Sequence, residues 1–320
     1  MYLVTGVAGF IGSSIAQVLL ERGEAVRGID NLLTGKRENL KRLKGLDFVE
    51  GDLRDPSTCE RVCDGVSHIF HEAAIPSVPR SVKDPYESHD ANANGTLRLL
   101  IAARDAKVRR VVYAGSSSAY GNTPTLPKHE QMLPNPISPY AVSKLNGEQY
   151  LSSFYQVYGL ETVTIRYFNV FGPFQDPTSV YSGVLAKFIT LMLNGEQPTM
   201  YGDGEQSRDF TFIDNVVQGN LLAAEAPAEN VAGKVFNVAT GKRVTLNETF
   251  ETLKRLTGYR GEAKHEADRE GDVKHSLADI SAAKSAFGYE PKVDFETGLA
   301  KTVEWYRSIS AGAEAVQSQK

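Results

Sequence analysis

Cysteine is almost absent from this chain. The two in its 320 residues, Cys59 and Cys63, stand four apart. That is the spacing of one helical face, so they read as two semi-buried thiols and not as a disulfide framework or part of a metal site. Long apolar runs are missing as well. No stretch approaches the roughly 20 residues of a membrane span, and the first residues enter a strand pattern without the features of a signal peptide. The expectation is a cytoplasmic protein with no membrane partner. A strong excess of one charge is also lacking: the formal net charge is −4 and no basic stripe occurs, which argues against nucleic acid as a partner. His71-Glu72 begins like a zinc-protease helix, but position 75 is Ile75 where that motif needs histidine, so no metal is expected.

What the chain does have is alternation. Apolar runs at Tyr2–Val4, Ala25–Ile29, Leu46–Val49, His68–Phe70, Val111–Ala114 and Thr162–Arg166 alternate with helical patterns, among them Asp84–Ala106 and Tyr140–Tyr158. This is the pattern of an α/β, doubly wound parallel sheet. After Phe168 the rhythm breaks at Pro173, Pro177, Gly183, Pro198, Gly202 and Gly204, and it resumes near Ile213–Ala224 and Val235–Val238. The length exceeds the roughly 250–300 residues at which a single core stops growing, so two lobes are expected. Residues 1–168, with return segments about 210–240, would form a dinucleotide-binding domain. Residues 169–209 and 241–308 would form a smaller, mixed α/β substrate lobe, and 309–320 a frayed tail.

The first run leads into Thr5-Gly6-Val7-Ala8-Gly9-Phe10-Ile11-Gly12 and then into the helical pattern Ile15, Val18, Leu19. Strand, glycine turn and helix in this order let a pyrophosphate rest on the positive end of the helix. The second run ends in Asp30, placed to accept hydrogen bonds from an adenosine ribose and to repel a 2′-phosphate. That favours NAD over NADP, although Lys36 and Arg37 close by leave the point open.

A second constellation lies mid-chain. Ser116-Ser117-Ser118 follows the buried run Val111–Gly115, at the strand end where open α/β sheets bind ligands. Tyr140 and Lys144 follow, four apart and so on one face of a helix. An ammonium about 5 Å from a phenol stabilises the phenolate by roughly 3 kcal/mol at an effective dielectric of about 20. That alone does not bring a tyrosine to neutral pH, and a second positive charge, such as an oxidised nicotinamide, would complete the shift to a working general base.

These motifs together, with Asp30-Asn31, Gly51-Asp52-Leu53, His71-Glu72-Ala73-Ala74, Asn92-Ala93-Asn94-Gly95-Thr96, Tyr120-Gly121 and Arg166-Tyr167-Phe168-Asn169, resemble the extended short-chain dehydrogenase/reductases. Within that superfamily the chain is similar, from Tyr2 to about Arg307, to the UDP-hexose 4-epimerases. The resemblance implies that Asp52 and Leu53 flank the adenine and that Ala73 lines the cofactor cleft. It also places Asn92, Tyr140, Lys144 and Phe168 around the nicotinamide half of NAD. Asn169, Arg208 and Arg269 would hold the diphosphate of a UDP-sugar, Asp272 the uridine ribose, and Val184, Leu185 and Tyr201 the walls around the uracil. Two guanidiniums suit two phosphate charges.

The activity implied is a redox-neutral inversion at C4 through a 4-ketose, with Tyr140 as base and Ser116, four residues before Tyr120, as its hydroxyl partner. Ser118 becomes a supporting or substrate contact. Sugar-nucleotide 4,6-dehydratases and UDP-glucuronate decarboxylases resemble the chain too, but they carry acids where this one has Ser117 and Ser118. A UDP-glucuronate 4-epimerase stays open as the alternative, with Arg80 as the cation for the sugar carboxylate. A non-catalytic NAD-sensing scaffold stands against the retention of Ser116, Tyr140 and Lys144. By the same resemblance Ser276 lies beside C2 of the sugar, where a small residue leaves room for an acetamido group, and Ser77 and Arg80 resemble a segment of N-acetyl-preferring bacterial enzymes. A homodimer through the Asp84–Ala106 and Tyr140–Tyr158 helices is the default assembly.

Overall fold

A computed structural model describes residues 1–176, 183–267 and 274–317, with side chains to residue 309. The apolar runs form a seven-stranded sheet: β1 (Tyr2–Thr5), β2 (Val26–Asp30), β3 (Asp47–Glu50), β4 (His68–His71), β5 (Arg110–Ser116), β6 (Glu161–Tyr167) and β7 (Lys234–Val238). Every pairing is parallel, in the order β7-β6-β5-β4-β1-β2-β3. The order reverses between β1 and β4. There the crossovers leave in opposite directions, and the carboxyl ends of the strands open a crevice.

The sheet is covered on both faces because neighbouring residues of each strand point to opposite sides. Val4, Phe70 and Val112 face Ile15 and Leu19 of α1 (Phe10–Glu21), while Leu3, Ile69 and Val111 pack with Cys59, Val62 and Cys63 of α2 (Pro56–Cys63). Helices α3 (Gly95–Asp105) and α4 (Pro139–Tyr158) lie on that second face, adding Leu99, Leu100, Leu151 and Phe154. Both thiols are fully buried and free, and burial pushes them up to about 12, which makes them inert core groups.

The helix expected over Asp84–Ala106 is three pieces: Pro85–His89, a π turn at Asp90–Asn94, and α3. The wide turn carries Asn92 inward, and π turns gather at functional sites. Beyond β6 come α5 (Val184–Leu193), α6 (Ile213–Glu225), α7 (Leu246–Thr257) and α8 (Phe295–Gln317). Two-residue ladders join Val170–Phe171 to Thr211–Phe212 and Ser207–Arg208 to Val244–Thr245. Phe188, Phe250 and Tyr306 belong to the same apolar cluster as Val4 and Phe236, so one core runs from the sheet into these helices. Where a frayed tail was expected from Ile309 onward, α8 continues to Gln317. Ala311, Ala313, Glu314 and Ala315 are good helix formers and carry it on. Among the described residues no helix is long and apolar enough to cross a membrane.

Candidate active site

The glycine turn makes a cradle at the switch point. Gly6 has φ +64°, and a Cβ there would lie 2.8 Å from Ala73 N; a Cβ on Gly12 would lie 2.3 Å from Gly6 O. Gly9 caps α1 without a side-chain bond, and the first turn, Phe10 to Gly12, has no acid. Its N–H groups and positive helix end are thus left for an anion. At the end of β2, Asp30 accepts from Ala8 N at 3.0 Å and Leu32 N at 2.8 Å, and its burial raises the carboxyl above the usual range. The two nearby cations are engaged elsewhere: Lys36 Nζ meets Asp176 at 2.7 Å and Arg37 meets Glu50 at 2.5 Å. Asn31 donates to Asp52 at 2.8 Å, and Arg54 bonds both Asp52 oxygens, holding that carboxyl down to about 2. Leu53 is buried beside them. A cradle that Cβ atoms would fill, an uncapped helix and an acid at the end of β2 fit a dinucleotide without a 2′-phosphate.

Ser116 ends β5, and Tyr140 and Lys144 stand in the first turns of α4. Ser138 caps α4, accepting from Ala141 N at 3.2 Å, with Pro139 in the first turn. This sets Tyr140 at the helix start, its N–H donating to Ser81 Oγ at 3.0 Å. Ser118 donates to Ser116 Oγ twice, from N at 3.2 Å and from Oγ at 2.8 Å. Ser116's own proton is therefore left for Tyr140; burial raises that phenol and the nearby Ser116 hydroxyl pulls it back down. Lys144 is 4 % exposed, its Nζ lies 4.2 Å over the Tyr113 ring, and burial lowers it to about 8.

Asn92 holds this arrangement from behind. Its Oδ1 accepts from Ile75 N at 2.7 Å, and its Nδ2 donates to Ser143 Oγ at 3.1 Å, which in turn donates to Tyr140 O at 2.8 Å. His71 bridges Thr5 and Thr96, at 2.8 Å each, and burial takes the imidazole down to about 3, so it is neutral. Phe168 is fully buried with Tyr120, Ala239 and Ala278, so it can offer the cleft only its backbone.

On the substrate side a cavity of about 410 Å³ is lined by Asn169, Val184, Leu185, Tyr201 and Arg208, five of the residues singled out in the sequence. Arg208 Nη1 donates to Ser207 O at 3.1 Å and Lys274 O at 3.0 Å. Asn169, at φ +34°, donates through Nδ2 to Asp209 O and to Ser276 Oγ, each at 3.1 Å. Ser276 Oγ also accepts from Asp209 N at 3.3 Å. Ser77 caps a short helix by accepting from Arg80 N at 3.0 Å, and Arg80 forms a two-point ion pair with Glu87 at 3.0 and 2.8 Å. Arg269 and Asp272 lie outside the described residues.

Three participants escaped the sequence reading. Tyr113 was only one letter of a buried run, yet its ring faces Lys144. Gly147 lets α4 sit on that ring, since a Cβ there would lie 2.4 Å from Tyr113 Oη. Glu72, read only as part of a motif, meets Tyr167 Oη at 2.8 Å. Lys144 pulls the Glu72 carboxyl down while burial drives it up to about 7. The remaining signal for Glu72 was its position just past β4.

Residues 2–239 match the NAD dependent epimerase/dehydratase family. The structure is similar to that of a UDP-glucose 4-epimerase from Thermotoga maritima solved with UDP-glucose, with a TM-score of 0.92, 41 % identity, and 96 % of this chain and 99 % of that one covered. It is also similar to a UDP-N-acetylglucosamine 4-epimerase from Methanobrevibacter ruminantium M1 in complex with UDP-N-acetylmuramic acid, with a TM-score of 0.91, 41 % identity, and 96 % and 98 % covered. A UDP-glucuronate 4-epimerase of Thermodesulfobacterium geofontis is 34 % identical over 95 % of each chain. By the match over residues 2–239 and these identities along nearly the whole chain, the chain belongs to the NAD-dependent epimerase/dehydratase family, in its branch of UDP-sugar 4-epimerases.

Proposed function

We propose that this 4-epimerase interconverts UDP-N-acetylglucosamine and UDP-N-acetylgalactosamine, and that it also accepts UDP-glucose and UDP-galactose. Bound NAD supplies the hydride acceptor and donor. The chain's own residues do the rest. Tyr140 acts as the phenolate: Ser116 donates to it and Lys144 stabilises its charge before the transfer, and its Oη then takes the proton from the sugar O4, becoming the phenol, and returns it. Asn169, Arg208 and Arg269 anchor the diphosphate, so the sugar can present either face while its nucleotide stays fixed.

The observation that carries the choice of sugar is Ser276. It is small, and its hydroxyl is drawn onto Asp209 N and onto Asn169, which lines the cavity. A side chain held that way leaves volume beside C2. The glucuronate alternative needs a cation for the sugar carboxylate, and Arg80 already has its charge matched by Glu87, which favours neutral sugars. Turnover of UDP-N-acetylglucosamine, UDP-glucose and UDP-glucuronate measured side by side tests the assignment; preference for the glucuronate would overturn it. We also infer a homodimer: Tyr86, Ile101 and Val142 are 81, 40 and 49 % exposed on the helices of the default interface, and light scattering checks it.

A further inference from the structure

Tyr167 has one hydroxyl proton and meets two oxygens. Its Oη lies 2.8 Å from Glu72 Oε1 and 3.0 Å from Asn220 Oδ1. The Asn220 amide is oriented by its other end, because Nδ2 donates to Val216 O at 2.9 Å. Turning the amide over would set its oxygen against that carbonyl. Oδ1 must therefore accept, and Tyr167 spends its proton there. Two oxygens at 2.8 Å still need a proton between them, and the remaining source is the carboxyl.

We propose that Glu72 is a positioning residue of the catalytic cleft, a carboxylic acid in the resting protein that donates to Tyr167 Oη and so does not oppose the charge of Lys144 near Tyr140. This rests on the reading of Tyr140 as the base. The ionisable groups facing Glu72 are Lys144 from α4, Tyr113 from β5, Tyr167 from β6 and its neighbour His71, which is neutral. Burial pushes Glu72 to about 7, and Lys144, at about 8, is still a cation there. As pH rises through that window the acid gives up its proton. The carboxylate then offsets the ammonium, the Tyr140 phenolate loses support, and turnover falls.

The test is infrared titration of the protein as purified, following the carbonyl stretch of a protonated carboxyl. The wild type should show a band that disappears with a midpoint no lower than about 7, the value that burial sets against a Tyr167 hydroxyl donating to the carboxylate, and Glu72→Gln should lack it. Tyr167→Phe should move the midpoint down, because it removes the acceptor that favours the acid. A midpoint in the ordinary range near ~4.3 would overturn the proposal. An upward shift in Tyr167→Phe would do the same, by showing that the phenol donates to a carboxylate. The alkaline fall in turnover should contain a limb with the wild-type infrared midpoint that Glu72→Gln lacks, leaving the fall that Lys144 itself sets at about 8; an unchanged profile in that variant would show that Glu72 does not govern Lys144. The infrared measurement needs no turnover, so it stands apart from the fate of the 4-epimerase reading.

Discussion

The cofactor cleft and the substrate cavity sit at the same edge of one sheet and are built in different ways. In the cleft the functional groups are tied to strand ends and helix starts by buried hydrogen bonds: Asn92 to Ile75 and Ser143, His71 to Thr5 and Thr96, Asp30 to two backbone amides. In the cavity the groups lie on short ladders and on the start of α5, joined by a few bonds centred on Asn169, Ser276 and Arg208. The first region is preorganised for chemistry that does not change from one sugar to another. The second can vary by single side chains without disturbing the first, which is where the proposed choice of sugar would be made.

The sharpest way to break this comparison is at Tyr140. Tyr140→Phe removes one oxygen from a site whose remaining bonds hold, so fold and bound cofactor should persist while turnover drops at least roughly a hundredfold, the low end of what positioned proton transfer contributes. Steady-state assays beside thermal melts check it, and near-normal turnover would remove Tyr140 from the mechanism. In the cavity, Arg208→Ala should act on binding instead. The loss of one charged contact to phosphate is worth about 1.5–3 kcal/mol, so KM should rise roughly ten- to a hundredfold with kcat nearly kept. An equal fall in kcat would place Arg208 with the chemistry.

Cofactor identity sharpens the same contrast without a mutation. Asp30 ends β2, where an acid is expected to repel a 2′-phosphate, and Lys36 and Arg37 are held by Asp176 and Glu50. Protein purified without added cofactor should release NAD on denaturation and need none for activity. Release of mostly NADP would contradict the reading of Asp30.

The two regions also differed in how far the sequence disclosed them. The cleft was legible because its signals are local: a glycine turn between a strand and a helix, an acid at the end of β2, a Tyr and a Lys one helical turn apart. The parts that stayed hidden depend on residues far apart in the chain. Tyr167 and Glu72 are 95 positions apart, Asn92 and Ser143 are 51 apart, and no spacing rule brings either pair together. Arg80 looked available for a ligand until the fold set Glu87 against it. Phe168 was placed at the nicotinamide half by resemblance, and the end of β6 turns its ring into the core with Tyr120 and Ala239, which leaves that role to its backbone. The proton on Glu72 was further out of reach, since it follows only from how the Asn220 amide is turned.

The smallest expected effect is the one that bears most on function, and it concerns Ser276. This residue bonds Asn169 and Asp209 N, so replacing it with tyrosine breaks two hydrogen bonds beside the cavity residue Asn169 and, on the proposed assignment, fills the volume beside C2. Overpacking of this kind costs roughly 1–3 kcal/mol, and pocket discrimination on one substituent is of the same order. Ser276→Tyr should therefore lower kcat/KM for the N-acetylated sugars about tenfold or more while sparing UDP-glucose and UDP-galactose, because a plain hydroxyl at C2 needs no such room. Loss of the two bonds alone would weaken both substrate classes together. Ser276→Ala, which removes the hydroxyl without filling the space, separates the two effects: it should leave the ratio between the classes unchanged. An equal loss on both classes in Ser276→Tyr would show that the residue orients Asn169 and does not gate the sugar.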